Sequence, residues 1–248
     1  MVSEFSYNGL VKPNRTQDSQ KKLDIGFKIS SINFVGFKTE LLDNLYGLDA
    51  IDGSAFHLYS AIFGYEYASY IAQRIADEKP EEPYSIGIVC PYKKQADCIK
   101  QMIELRDISN DACMISCGTV HSFQGDECDI MIVVLNPPMN IGQNAHVNNQ
   151  NIINVAMSRA KDYLFFLVPD NRIPGFTTRE VLGKMANDKS IMFCNDIEQI
   201  MFEQSDYIQQ HTNVTCHMPV NVYYEPSSFY EVRKDDMAVD IQINEQFR

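Results

Sequence analysis

The stretch 130–135 (IMIVVL) is an unbroken apolar run in a chain that otherwise mixes polar and apolar residues. It is too short for a typical helix and ends at Asn136-Pro137-Pro138. Such a run suits a strand covered on both faces, the pattern of a parallel α/β sheet rather than of a half-wetted antiparallel one. On its N-terminal side lies GTVHSFQGDECD (118–129), where hydroxyl, imidazole, amide and carboxylate groups surround Gly125. Ligands of parallel sheets collect at strand ends, so this polar cluster is a natural place for chemistry.

The rest of the chain supplies partners for that strand. Residues 29–37, 54–60, 85–90, 112–116 and 163–168 have strand-like composition. Residues 65–77 and 93–105 carry apolar positions at helical spacing, Ala68, Ile71 and Ile75 in one and Ala96, Ile99 and Ile103 in the other. This alternation predicts an α/β fold, a parallel sheet with helices on both faces. Residues 1–24 read as a polar lead-in, 38–46 as a short helix, and 139–151 as a mobile, asparagine-rich surface loop. Past Phe176 the pattern weakens: 178–185 and 196–202 read as helices. Strand-like pieces, among them 220–224 and 237–243, suggest a small antiparallel appendage. The expected organisation is a lead-in over 1–50, the α/β domain over 51–175 and a C-terminal extension over 176–248.

Composition narrows the classes. The 248 residues are 45% hydrophobic and 22% charged, as in an ordinary globular protein. No apolar run reaches membrane-spanning length and the N-terminus lacks a signal-peptide core, so an intracellular chain without membrane association is expected. Seven irregularly spaced cysteines agree with that compartment, and Cys113 and Cys117 have no second pair to complete a metal set. A net charge of −12 argues against nucleic-acid coating by bulk electrostatics, but not against local contacts through hydroxyl and backbone groups.

Three segments carry a resemblance. TVHSFQGDECD, followed by its apolar strand, resembles the FQGxExD signature of Upf-like superfamily-1 helicases. SIGIVCPYKKQ (85–95) is similar to the family's IGIxxPYxxQ strand and turn. NVAMSRAK (154–161) is similar to its NVAxSRAK helix. All three stand in the family's order and belong to its second RecA-like domain. The resemblance therefore implies a RecA-like sheet, ATP and Mg²⁺ as cofactors, and single-stranded DNA or RNA as partner. The Upf-like branch further implies 5′ to 3′ movement.

Roles follow residue by residue from the same resemblance. Arg159 stands as the arginine finger, a permanently cationic fork for γ-phosphoryl oxygens. Gln124 would couple nucleotide state to the grip on the strand, Glu127 would accept a hydrogen bond from the ribose, and Gly125 would admit close backbone approach. Ser158 and Lys161 would brace Arg159 or the helix end. Thr119 and His121 suit phosphate contacts without sequence preference. Tyr92 and Lys93 offer a stacking face and a charge. Taken alone, each has an ordinary structural reading as well: a surface ion pair for Arg159, a turn acid for Glu127, a capping amide for Gln124, satisfied loop side chains for the others.

Absences define the remainder. The chain has no GxxxxGK[ST] phosphate loop and no acidic pair following a strand to hold Mg²⁺. It departs from the family at the YRMHP-type segment and at Phe63, where a Ser60-to-Glu66 pattern has asparagine in relatives. Half an ATP site is thus expected, with ATP and Mg²⁺ shared with an N-terminal RecA-like domain in cis or in trans. The alternative is a non-catalytic helicase-like module for interaction or nucleic-acid binding.

Overall fold

The computed structural model describes residues 20–26, 29–37, 48–51, 53–105, 109–123, 127–136, 145–169, 173–178, 191–192, 230–234 and 239–243. The expectations for 38–46, 196–202 and 220–224, and nearly all of 178–185, lie outside them.

In chain order the elements are β1 (Ile32–Phe37), β2 (Leu48–Ile51), β3 (Ser54–His57), α1 (Leu58–Glu78), β4 (Tyr84–Cys90), α2 (Lys93–Leu105), β5 (Cys113–Thr119) and β6 (Cys128–Val134). They continue with α3 (Gln150–Ser158), β7 (Ala160–Pro169), β8 (Ile191–Met192), β9 (Tyr230–Lys234) and β10 (Val239–Ile243). The main sheet runs β5-β4-β6-β7-β1-β8, and every pairing within it is parallel. This is the expected RecA-like α/β architecture. The sheet also takes in β1, from the stretch read as lead-in.

The apolar run is the sheet's central strand, buried along its whole length. Side chains alternate between the faces of a strand, and β6 divides its run accordingly. Ile130, Ile132 and Val134 join one core with α1 and α2, while Met131, Val133 and Leu135 join a second core with α3. β7 does the same with Tyr163, Phe165 and Leu167 against Leu164, Phe166 and Val168. Helices cover both faces because each face carries its own apolar row. Gly64 lets α1 settle onto β6, since a Cβ there would lie 2.7 Å from a Val134 methyl.

Several boundaries differ from expectation for local reasons. α1 begins at Leu58, where a strand through residue 60 was expected. Phe63 lies inside this helix, 6.2 Å from Tyr67 and 6.4 Å from Phe37 between ring centres. The residue standing where relatives have asparagine is therefore a core aromatic. α3 stops at Ser158, and Ala160 and Lys161 open β7 instead of prolonging the helix. Ser158 Oγ donates back to Val155 O at 2.8 Å, turning into its own helix end. The surface loop expected through residue 151 also ends early, because Ala145 leads into a 3₁₀ turn at His146–Asn148 and then α3. Further along the chain, β9 and β10 pair antiparallel.

A short segment ahead of β1 crosses the N-terminal edge of the sheet. Tyr163 Oη donates to Lys21 O at 2.8 Å, Tyr84 Oη donates to Lys22 O at 2.5 Å, and Gln20 Nε2 donates to Asp162 O at 2.8 Å. Lys21 Nζ lies 3.2 Å from Asp129 Oδ2. Asp129 also accepts from Ser85 N and Ser85 Oγ, at 2.9 and 3.0 Å. Burial pushes the Asp129 carboxyl up, but these donors and the Lys21 charge outweigh burial and hold it below the ordinary value.

Candidate nucleic-acid and nucleotide site

Because every strand of the main sheet points the same way, the signature residues sort onto its two ends. β5 finishes at Thr119, and the chain then turns at once. Ser122 donates from both N and Oγ to Thr119 O, at 2.9 and 2.7 Å. Gly118 makes this closure feasible, since a Cβ there would lie 2.0 Å from Ser122 Oγ. Val120 and Phe123 are buried in the second core, while His121 and Ser122 face solvent and Thr119 is half-buried. Apolar anchors thus hold a turn that displays polar groups.

Beside it, β4 ends at Pro91 and α2 starts at Lys93. Gln95, fully buried, clasps the neighbouring corner. Its Oε1 accepts from His57 N at 2.8 Å, and its Nε2 donates to Ser60 Oγ at 2.9 Å and His57 O at 3.3 Å. Lys94 N donates to Ser54 Oγ at 3.1 Å. These bonds fix the start of α2 to the β3–α1 corner.

Between these segments lies a cavity of about 510 Å³. Thr119, His121, Tyr92 and Lys93 all line it, so the structure brings together the four residues picked for strand contact. Sequence reasoning missed Ser54, Lys100 and His146, which line it too. Lys100 sits two turns along α2 from Lys93, with Asp97 between them, and that spacing was a usable signal. Ser54 and His146 come from distant segments and had none. Lys93 and Lys100 against Asp97 leave this wall cationic in an acidic chain. Burial raises the Tyr92 phenol, partly countered by the N–H of Val147, so it stays neutral and accepts that bond at 3.3 Å.

Glu127 and Arg159 lie at the opposite end, where β6 and β7 begin. Cys128 N donates to Arg159 O at 2.9 Å, and Cys128 pairs with Ala160 in the ladder. The backbone thus sets Glu127 and Arg159 on neighbouring strand entrances. Arg159 caps α3, its own N–H donating to Ala156 O at 3.2 Å. Its side chain is half-buried and its Nε is buried without a hydrogen-bond partner. A buried guanidinium nitrogen left unpaired is costly, and it suits an arginine whose partner arrives from elsewhere. Glu127 is exposed and open to a ligand. Gln124 and Gly125 lie outside the described residues. Among the described residues, no cluster of three or more His, Cys, Asp or Glu side chains is arranged to hold a metal ion, and no helix is long and apolar enough to cross a membrane.

Residues 2–170 match a family model described as "AAA domain". Over 98 residues the chain is 35% identical to replicase polyprotein 1ab of Alphamesonivirus 1, a match covering 39% of this chain and 2% of that protein. Over 119 residues it is 34% identical to the putative helicase mov-10-B.1 of Danio rerio, covering 42% of this chain and 11% of that protein. The chain spans only a small part of the length of either relative.

Proposed function

This chain belongs to the AAA-domain family of Upf-like superfamily-1 helicases, and from that premise we propose that its sheet is the second RecA-like domain of an ATP-dependent helicase. The observation that supports this reading best is the division of one signature between two ends of a sheet. Strand-contact candidates share a cavity at the C-terminal end, while Arg159 and Glu127 stand together at the N-terminal end. The two ends lie about one seven-residue strand apart, roughly 20 Å, and residues 120–127 join them in sequence. A change at one end therefore has a short covalent route to the other, and Gln124 lies on it.

In the complete enzyme ATP would lie between two RecA-like domains, the N-terminal one supplying the phosphate loop, Mg²⁺ and general base. On this side the Arg159 guanidinium neutralises charge gathering on the γ-phosphoryl oxygens. Glu127 accepts from a ribose hydroxyl, and Gly125 leaves room for the nucleotide. Thr119, His121, Tyr92 and Lys93 hold the single strand, DNA or RNA, and closure followed by opening steps the pair along it. The chain alone lacks half the site and turns over no ATP.

The test measures Mg²⁺-dependent ATP hydrolysis by the chain alone and by the chain joined to an N-terminal RecA-like domain. Turnover only in the joined form, lost in Arg159→Ala, supports the reading. Turnover by the chain alone sinks the half-site argument. The second reading, a non-catalytic module, draws on Phe63, whose aromatic packing replaces the family's polar residue. Strand binding by the joined protein with no turnover would select it.

A further inference from the structure

His146 belongs to none of the signature segments, yet it stands at the wall of the cavity. Its ring is exposed, while the turn beneath it is tied down on several sides. Val147 is fully buried, and its N–H donates to Tyr92 Oη at 3.3 Å. Asn148 Nδ2 donates to Gly175 O at 2.8 Å, and its Oδ1 accepts from Thr178 N at 3.4 Å. Asn149 Oδ1 accepts from Asn151 N at 3.0 Å and caps α3. An exposed ring on an anchored turn loses little freedom when a ligand arrives.

The ring centres of His146 and Tyr92 are 5.8 Å apart, with planes inclined at 58°. A base sandwiched between two rings needs parallel faces roughly 7 Å apart, twice the carbon contact distance. The observed pair is too close and too tilted for that. It forms a corner, in which a flat base stacks on one ring and meets the other at its edge, both favoured aromatic geometries. Lys93, Lys100 and His121 line the same cavity, and a strand's phosphates would run past them.

We infer that His146 and Tyr92 together form a base-stacking corner for one nucleotide of a single strand, with His146 as a binding residue outside the family signature. This rests on the reading of the cavity as the strand's track. Every base has a π-face, so the corner accepts any base and favours base-bearing over bare backbone.

The experiment measures affinity of the full chain by fluorescence anisotropy at low salt. The probes are oligothymidylate, oligouridylate and abasic versions of both. His146→Ala should weaken binding of the base-bearing strands roughly tenfold, the scale of one lost stack, and leave the abasic strands unchanged. His146→Phe should restore the base-bearing affinity, because stacking survives without the imidazole. Equal weakening on abasic strands would make His146 a backbone contact and overturn the inference. So would an unaltered affinity for base-bearing strands. If Lys93→Ala weakens every strand while His146→Ala weakens none, the track stands and the corner falls. Wild-type chain that binds no strand removes both. Weakening confined to thymidylate or to uridylate would assign the corner to DNA or to RNA.

Discussion

The two ends of the sheet are built on opposite principles. At the N-terminal edge polar groups are paired: Asp129 with Lys21 and Ser85, Tyr84 and Tyr163 with the backbone of the segment ahead of β1. Arg159 Nε, on the same edge, is buried without a hydrogen-bond partner. At the C-terminal edge the order is reversed. Lys93, Lys100 and His121 line the cavity and are exposed, while much of the pairing lies beside and behind them, in Gln95 and in the turn that follows Thr119. A site that must accept a ligand keeps its front unsatisfied and spends its hydrogen bonds on support.

The largest test of this contrast is Arg159→Ala. In the joined enzyme it should lower turnover by about 10³ or more, the scale of an arginine finger, with little change in thermal unfolding. A large fall in melting temperature would instead mean that Arg159 belongs to the structural edge. Gln95→Ala comes next. Removing the clasp strands His57 N–H and leaves a small void, which should cost about 1–3 kcal/mol in denaturant unfolding and weaken strand binding together. Intact binding at reduced stability would show that the support does not shape the cavity.

Asp129→Asn tests the paired edge. With its carboxyl held below the ordinary 3.8, Asp129 contributes stability that is complete above that value and lost as pH falls through its folded value. The wild-type chain should therefore lose stability in acid more steeply than the variant, while being more stable by about 1 kcal/mol near neutrality. Parallel acid curves would mean that Lys21 and Ser85 do not hold the Asp129 carboxylate in solution. The smallest effect is expected from Lys100→Ala. It should weaken every single strand uniformly and reduce the salt slope by about 0.7, one phosphate contact. An unchanged slope would move Lys100 off the track.

Much of the fold was legible because it rests on local periodicity. The run 130–135 became β6, and the helical spacing at 93–105 became α2 with the same limits. Thr119, His121, Tyr92 and Lys93 were legible as a group through motif resemblance, and they meet in one cavity. Boundaries failed where a distant partner overrode local preference. The segment around Ser60 reads as strand, but the Gln95 clasp on His57 lies where β3 ends and α1 begins. Ala160 and Lys161 favour helix, but Ala160 pairs with Cys128 across the ladder.

What this chain's sequence determined by itself is most of the main-sheet elements, the parallel character of that sheet and the identity of its polar signatures, since periodicity and residue chemistry are written along the chain. Tertiary structure alone decided which end of the sheet each signature occupies. It set Ser54, Lys100 and His146 beside Tyr92, and it joined Lys21 to Asp129 across 108 positions. The physical reason is that hydrogen bonds and ring contacts act over a few ångströms in space. A turn that brings residues 92 and 146 within reach leaves no periodic mark on either segment.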